Sequence, residues 1–135
     1  MTPEDILAAA RSAIGTPFRH QGREVSKALD CAGLAVYVAD KVGAEYQDSP
    51  GYAARPSGGL LESALDAQTG LERVFEMQPG DLLLMRFMGD PQHLAIYAGE
   101  TIIHAFAAGR KVCEHRLDDV WRARIVRIYR FRGIS

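Results

Sequence analysis

The chain has 135 residues, 47% hydrophobic and 24% charged, with a formal charge of −1. That length buries about two-thirds of the extended-state surface without disulfide staples, so residues 1–135 read as one ordinary globular domain, neither disordered nor low in complexity. A charge so close to zero argues against nucleic acid as the main partner, and the two distant cysteines, Cys31 and Cys113, argue against a disulfide framework and a zinc ribbon.

In chain order, "MTPEDILAAARSAIG" opens with a helix. Thr2 suits the N-cap, Pro3 the first helical position and Asp5 the capping-box acid. Ile6, Ala9, Ala10, Ala13 and Ile14 form one apolar stripe, and Gly15 supplies the stop. Two early acids and no long apolar run make this neither a signal peptide nor a membrane insert, so the chain reads as cytoplasmic when made. "GTPFRHQGREVSKAL" reads as a loop, broken by Gly15, Pro17 and Gly22. A second helix begins at Cys31 behind the N-cap Asp30, buries Cys31, Leu34, Ala35, Val38 and Val42, and ends at Gly43. "EYQDSPGYAARPSGG" is a Pro/Gly-rich loop, and "LLESALDAQ" a short third helix. From "PGD" at 79–81 the pattern changes to five strands, "LLLMRF", "HLAIYA", "TIIHAFA", "KVCEHR" and "ARIVRIYRF", punctuated by Gly89, Gly99 and Gly109. Helices first and an antiparallel meander after them define an α+β layout.

Hairpin register relates two of the four histidines. If Gly99 and Glu100 form the turn, Ala98 pairs with Thr101 and Ala95 with His104. His93 and His104 are then diagonal neighbours on one face, with bases roughly 7 Å apart. A one-residue slip would separate them. The first turn of a helix favours thiolate at Cys31. A histidine that takes the thiol proton, a second polar group that orients that histidine, and main-chain N–H groups at the helix start would complete an acyl-transfer site, provided the hairpin faces the helix.

Each residue also has a plainer reading. Cys31 lies on an apolar helix stripe, as a buried structural cysteine would; Asp30 is explained as an N-cap; strand histidines commonly pack. Cys113 reads as packing. Cys31, His93 and His104 have ligand chemistry suited to zinc but lack closely spaced paired ligands, so neither a metal nor another cofactor is expected. The five arginines at 122, 124, 127, 130 and 132 read as charge on a solvated edge strand, the alternative being a basic dock for an acidic partner or an anionic wall polymer.

Taken together, "GTPFRHQGREVSKALDCAGL", "QPGDLLLMRF" and "HLAIYAGETIIHA" resemble the nucleophile segment, the P-G-D-L strand and the H-V-G-I-Y-x-G hairpin of NlpC/P60 cysteine peptidases, in that order, from Gly15 to Phe106. The resemblance implies a papain-like fold, with N-terminal helices on an antiparallel sheet of about five strands. It implies hydrolysis of amide bonds in peptidoglycan stem peptides, typically next to D-glutamate, with Cys31 as nucleophile, His93 as general base and His104 as the orienting residue. Asp30, Phe18 and Ala32 fall at substrate-side positions. Phe18 replaces the family's usual tyrosine and Ala32 its usual serine, which bears on specificity or rate. The D-C-A-G wording and compact form look like the branch found in phage tails and gene-transfer agents, implying tail-hub or baseplate partners and a place in a virion-like particle. A structural tail-hub protein with weak or lost activity, and an acyltransferase on the same fold, are the competing readings.

Overall fold

The computed structural model describes residues 1–49, 52, 58–87 and 89–134. Helix α1 (Pro3–Ser12) starts in the capping box that its sequence dictates: Thr2 Oγ1 accepts from Asp5 N, and Asp5 accepts from Thr2 N. Ile6, Ala9, Ala10 and Ala13 are buried. Ile14, placed on the same stripe by its spacing, lies past the helix end and is exposed. The segment that follows is more ordered than a loop. Strands β1 (Arg23–Glu24) and β2 (Ala28–Leu29) form a small ladder, and Pro17 and Phe18 bridge to Lys111 and Leu29.

Helix α2 (Cys31–Val42) begins at Asp30, whose carboxylate accepts from Gly33 N at 2.7 Å, and ends at Gly43 with φ +74°. Helix α3 spans Leu60–Asp66. In the Pro/Gly-rich loop before it, residues 50, 51 and 53–57 lie outside the described residues.

Among the described residues six strands form the main sheet, close to the five expected: β3 (Leu71–Val74), β4 (Leu82–Phe87), β5 (Asp90–Tyr97), β6 (Thr101–Phe106), β7 (Lys111–Arg116) and β8 (Ile125–Phe131), in the order β3-β8-β4-β5-β6-β7. "LERV" is too short to show alternation, which is why β3 escapes the sequence reading. A four-residue helix α4 (Asp119–Arg122) precedes β8. Strand β8 is not an edge strand: it pairs with β3 on one side and β4 on the other. The arginines on β8 and at its two ends serve local partners. Arg130 forms a two-pronged pair with Asp81, at 2.9 Å on each side, and Asp81 is fully buried. Arg127 meets Glu62, Arg132 meets Glu72, and Arg124 stacks on Phe87 and Trp121.

Alternation along the strands divides the core. Leu94, Ile96, Ile103, Ala105 and Val112 join the cluster built with α1 and α2, while Ala95, Ile102, Leu83 and Met85 pack with Trp121 on the other face. Between Met85 and Arg86 the β4–β5 ladder shifts register, so Gln92 is an extra residue on β5 immediately before His93.

Candidate active site

The site is assembled around the first turn of α2. Asp30 is only 3% exposed and among the described residues accepts four hydrogen bonds: from Gly33 N, from Gln21 N at 2.8 Å, from Arg23 at 3.0 Å and from the Tyr52 hydroxyl. It therefore ties the preceding loop to the helix mouth, and its acceptor positions are taken by protein donors. Gly33 permits this closeness, because a Cβ there would stand 2.1 Å from Gly22 O. Phe18, anchored by its N–H to Arg110 O at 2.8 Å, forms part of the wall beside Cys31 and Ala32.

Cys31 departs from the expectation of a helix-start thiolate. Burial, and after it the Asp30 carboxylate, push its thiol up to about 11, against the pull of the nearby backbone N–H groups of Leu94, Ala32 and Cys31 itself. Desolvation outweighs the partial charge of the helix end. The same burial, followed by the Cys31 sulfur, raises the Tyr46 phenol.

Hairpin geometry matches the register argument. Ala98 N donates to Thr101 O at 2.9 Å, Ile96 pairs with Ile103, and His93 Nε2 lies 2.6 Å from His104 Nδ1. The array continues to a residue that the sequence reading did not single out. His104 Nε2 is 2.8 Å from His115 Nε2, and His115 Nδ1 is 3.0 Å from the Arg116 carbonyl. The signal was present: with "AAGR" as a four-residue turn, His104 pairs with Cys113 and His115 is its diagonal neighbour. A four-residue turn has several registers, and Gly109 alone does not select one.

With all three rings neutral, the end of this array sets its proton order. A carbonyl can only accept, so His115 Nδ1 carries the proton and its Nε2 accepts from His104 Nε2–H. His104 Nδ1 then accepts from His93 Nε2–H, leaving a lone pair on His93 Nδ1. Burial, and then the charge of His104, Arg124 and His115, hold His93 well below the ordinary imidazole range. Burial followed by His115 brings His104 to about 3. Phe87 stacks on His93 at 4.9 Å and Phe106 on His104 at 5.0 Å, excluding water from both.

The histidines alternate with Leu94 and Ile103, so they rise from the face that carries Trp121, not from the face on which α2 packs. The hairpin therefore does not present its imidazoles to the helix across the sheet. They meet the thiol's surroundings where β5 begins at its bulge, and a cavity of about 770 Å³ there has both Cys31 and His93 in its wall. Phe18, Ala32, Tyr46, Leu61, Leu65 and Phe106 make that cavity largely apolar, and no lysine or arginine is among its described lining residues. Among the described residues no hydrogen bond joins Cys31 to His93. Cys31, His93 and His104 do not, among the described residues, bring their ligand atoms together as a metal-holding group. A different trio does gather: single ligand atoms of His104, Cys113 and His115 all lie within 4.8 Å of one another.

Helices packed against one face of an antiparallel sheet, with a cysteine at a helix mouth and histidines on neighbouring strands, define a papain-like α+β domain. The NlpC/P60 family model matches residues 15–130, and the chain belongs to that family. Among solved structures it is similar to the NlpC/P60 domain of the peptidoglycan hydrolase SagA, with 27% identity and a TM-score of 0.66 over 95% of this chain and 97% of that one. The fold also resembles an NlpC/P60 family protein from Bacillus cereus (20% identity, TM-score 0.72, 97% of this chain, 40% of that one). The peptidoglycan hydrolase RipB from Mycobacterium tuberculosis shares it too (22% identity, TM-score 0.61, 98% of this chain, 65% of that one). The chain thus spans less than half of the Bacillus protein. No curated protein matches the sequence.

Proposed function

We propose that this protein is a thiol-dependent amide hydrolase of peptidoglycan stem peptides, in which Cys31 attacks the carbonyl, His93 moves the proton and His104 holds His93. The observation that carries this reading is the ordered imidazole pair whose free nitrogen belongs to a residue in the same cavity wall as the thiol. Likeness to the SagA domain along almost its whole length supports the substrate class.

The resting thiol and the resting imidazole are both uncharged, so proton transfer accompanies attack instead of preceding it. As the sulfur bonds to the carbonyl carbon, His93 Nδ1 takes the thiol proton, and backbone N–H groups at the start of α2 receive the developing oxyanion. Collapse breaks the C–N bond and returns the proton from His93 to the leaving amine. Water then cleaves the thioester by the same exchange, and an amine acceptor in its place would make the step a transfer. Phe18, Asp30 and Ala32 all line the substrate cavity, and Asp30 also positions the helix mouth.

Purified protein incubated with muropeptides should release peptides detectable by mass spectrometry, and Cys31→Ala should abolish release; undiminished cleavage in that variant removes the nucleophile. His104→Ala should lower kcat more than it raises KM, because an orienting group acts in the transition state. The opposite split would make His104 a substrate contact.

A second reading, a structural tail-hub component with little activity, draws on the protonated thiol and its missing bond to His93. The D-C-A-G wording at 30–33 supports placing either form in a phage or gene-transfer-agent particle. Proteomics of purified particles tests that setting: absence of this chain from the tail fraction would exclude it.

A further inference from the structure

We propose that His104, Cys113 and His115 form a site for a thiophilic divalent cation of the zinc type, and that its occupation switches off the hydrolase proposed above. The second half rests on that reading; the first does not.

The sheet builds the trio. His104 and Cys113 are direct cross-strand partners, and His115 lies two residues along β7 on the same face. Their ligand atoms fall within 4.8 Å of one another. Two imidazole nitrogens and a thiolate suit zinc, with bonds of about 2.0–2.1 Å to nitrogen and about 2.3 Å to sulfur; the ion would replace the hydrogen bond that joins the two Nε2 atoms at 2.8 Å, the rings parting slightly while the Cys113 side chain rotates inward. His104 is fully buried, whereas Cys113 and His115 are partly exposed and give an ion its way in. The Arg116 carbonyl already accepts from His115 Nδ1, the outer hydrogen bond that typically fixes a metal-bound imidazole with Nε2 toward the ion.

Proton bookkeeping links this site to the thiol. Binding releases the Cys113 thiol proton to solvent. His115 keeps its proton on Nδ1. On His104 the ion takes Nε2, so that ring's single proton moves to Nδ1 and is donated to His93 Nε2. His93 must then carry its own proton on Nδ1, the atom that would otherwise accept from Cys31. The base is lost although nothing touches the catalytic sulfur.

Cobalt(II) titration of Cys31→Ala protein, in which Cys113 is the sole thiol, tests the site without reference to activity. A thiolate-to-cobalt charge-transfer band is expected, absent when Cys113→Ser is added and requiring at least about tenfold more cobalt when His115→Ala is added. No band in Cys31→Ala, or an unchanged cobalt affinity in both double variants, overturns the site. Zinc should also suppress muropeptide cleavage by the wild type, and a chelator should restore it. Cys113→Ser should escape, each rate being compared with that variant's own metal-free rate. Equal zinc inhibition in Cys113→Ser would place the ion at Cys31 and overturn the switch. A wild type that never cleaves muropeptides would sink the hydrolase reading and the switch with it, while the cobalt titration still decides the site.

Discussion

Cys31 sits under two opposed influences: the N–H groups of a helix mouth favour its anion, and burial beside Asp30 opposes it. Burial wins, and the thiol holds its proton to about 11, against an ordinary value of 9.0. Alkylation of Cys31 by iodoacetamide should therefore climb about tenfold per pH unit from 7 to about 10, without the plateau near neutrality that a preformed thiolate would show. Mass-resolved labelling checks this. The same shift bears on stability. The folded state keeps a proton that the unfolded chain gives up near 9, so its stabilising effect is complete below 9 and is lost as pH rises toward about 11. Urea midpoints should fall across that window by the equivalent of about 2–3 kcal/mol more in wild type than in Cys31→Ala. Equal falls would mean the thiol is not desolvated.

Among the elements, α2 and the loop before it behave as one piece. Gly22 O approaches Gly33 so closely that a Cβ would collide with backbone, which is harder to displace than the end of a side chain. Gly33→Ala should cost roughly 1–3 kcal/mol in denaturant unfolding, as overpacked positions do, and should also slow cleavage by shifting the turn that bears Cys31. Asp30→Ala removes the N-cap and leaves Arg23, Gln21 N and Tyr52 without their shared acceptor. A loss of roughly 2–3 kcal/mol is expected, the cap accounting for about 1 of it. A change within 0.5 kcal/mol of wild type would show the cluster to be dispensable, since that is about the scatter of neutral surface substitutions.

For the molecule as a whole, β8 joins the two halves of the sheet. Its Arg130–Asp81 pair lies where β8 crosses the start of β4, and Asp81 also accepts from Gln78 N at 2.8 Å. Arg130→Met leaves a buried carboxylate without its cation and should destabilise the fold by about 3–5 kcal/mol. The double variant Arg130→Met/Asp81→Leu should recover much of that in thermal unfolding, because the cost lies mostly in the orphaned charge. Failure of the second change to rescue would assign the loss to packing of the arginine stem instead.

Local rules sufficed for the caps at Thr2 and Asp30, the stop at Gly43, the stretch of α2 and the register that joins His93 to His104, because each depends on residues a few positions apart. Partners distant in the chain decided the rest. Strand β8 became interior because β3, too short to carry a pattern, covers it; its arginines found Asp81, Glu62 and Glu72 through the fold. His115 entered the imidazole array through a register that its turn alone leaves ambiguous. Thiol acidity at Cys31 reversed because desolvation depends on everything packed around the sulfur, a quantity no window of sequence contains.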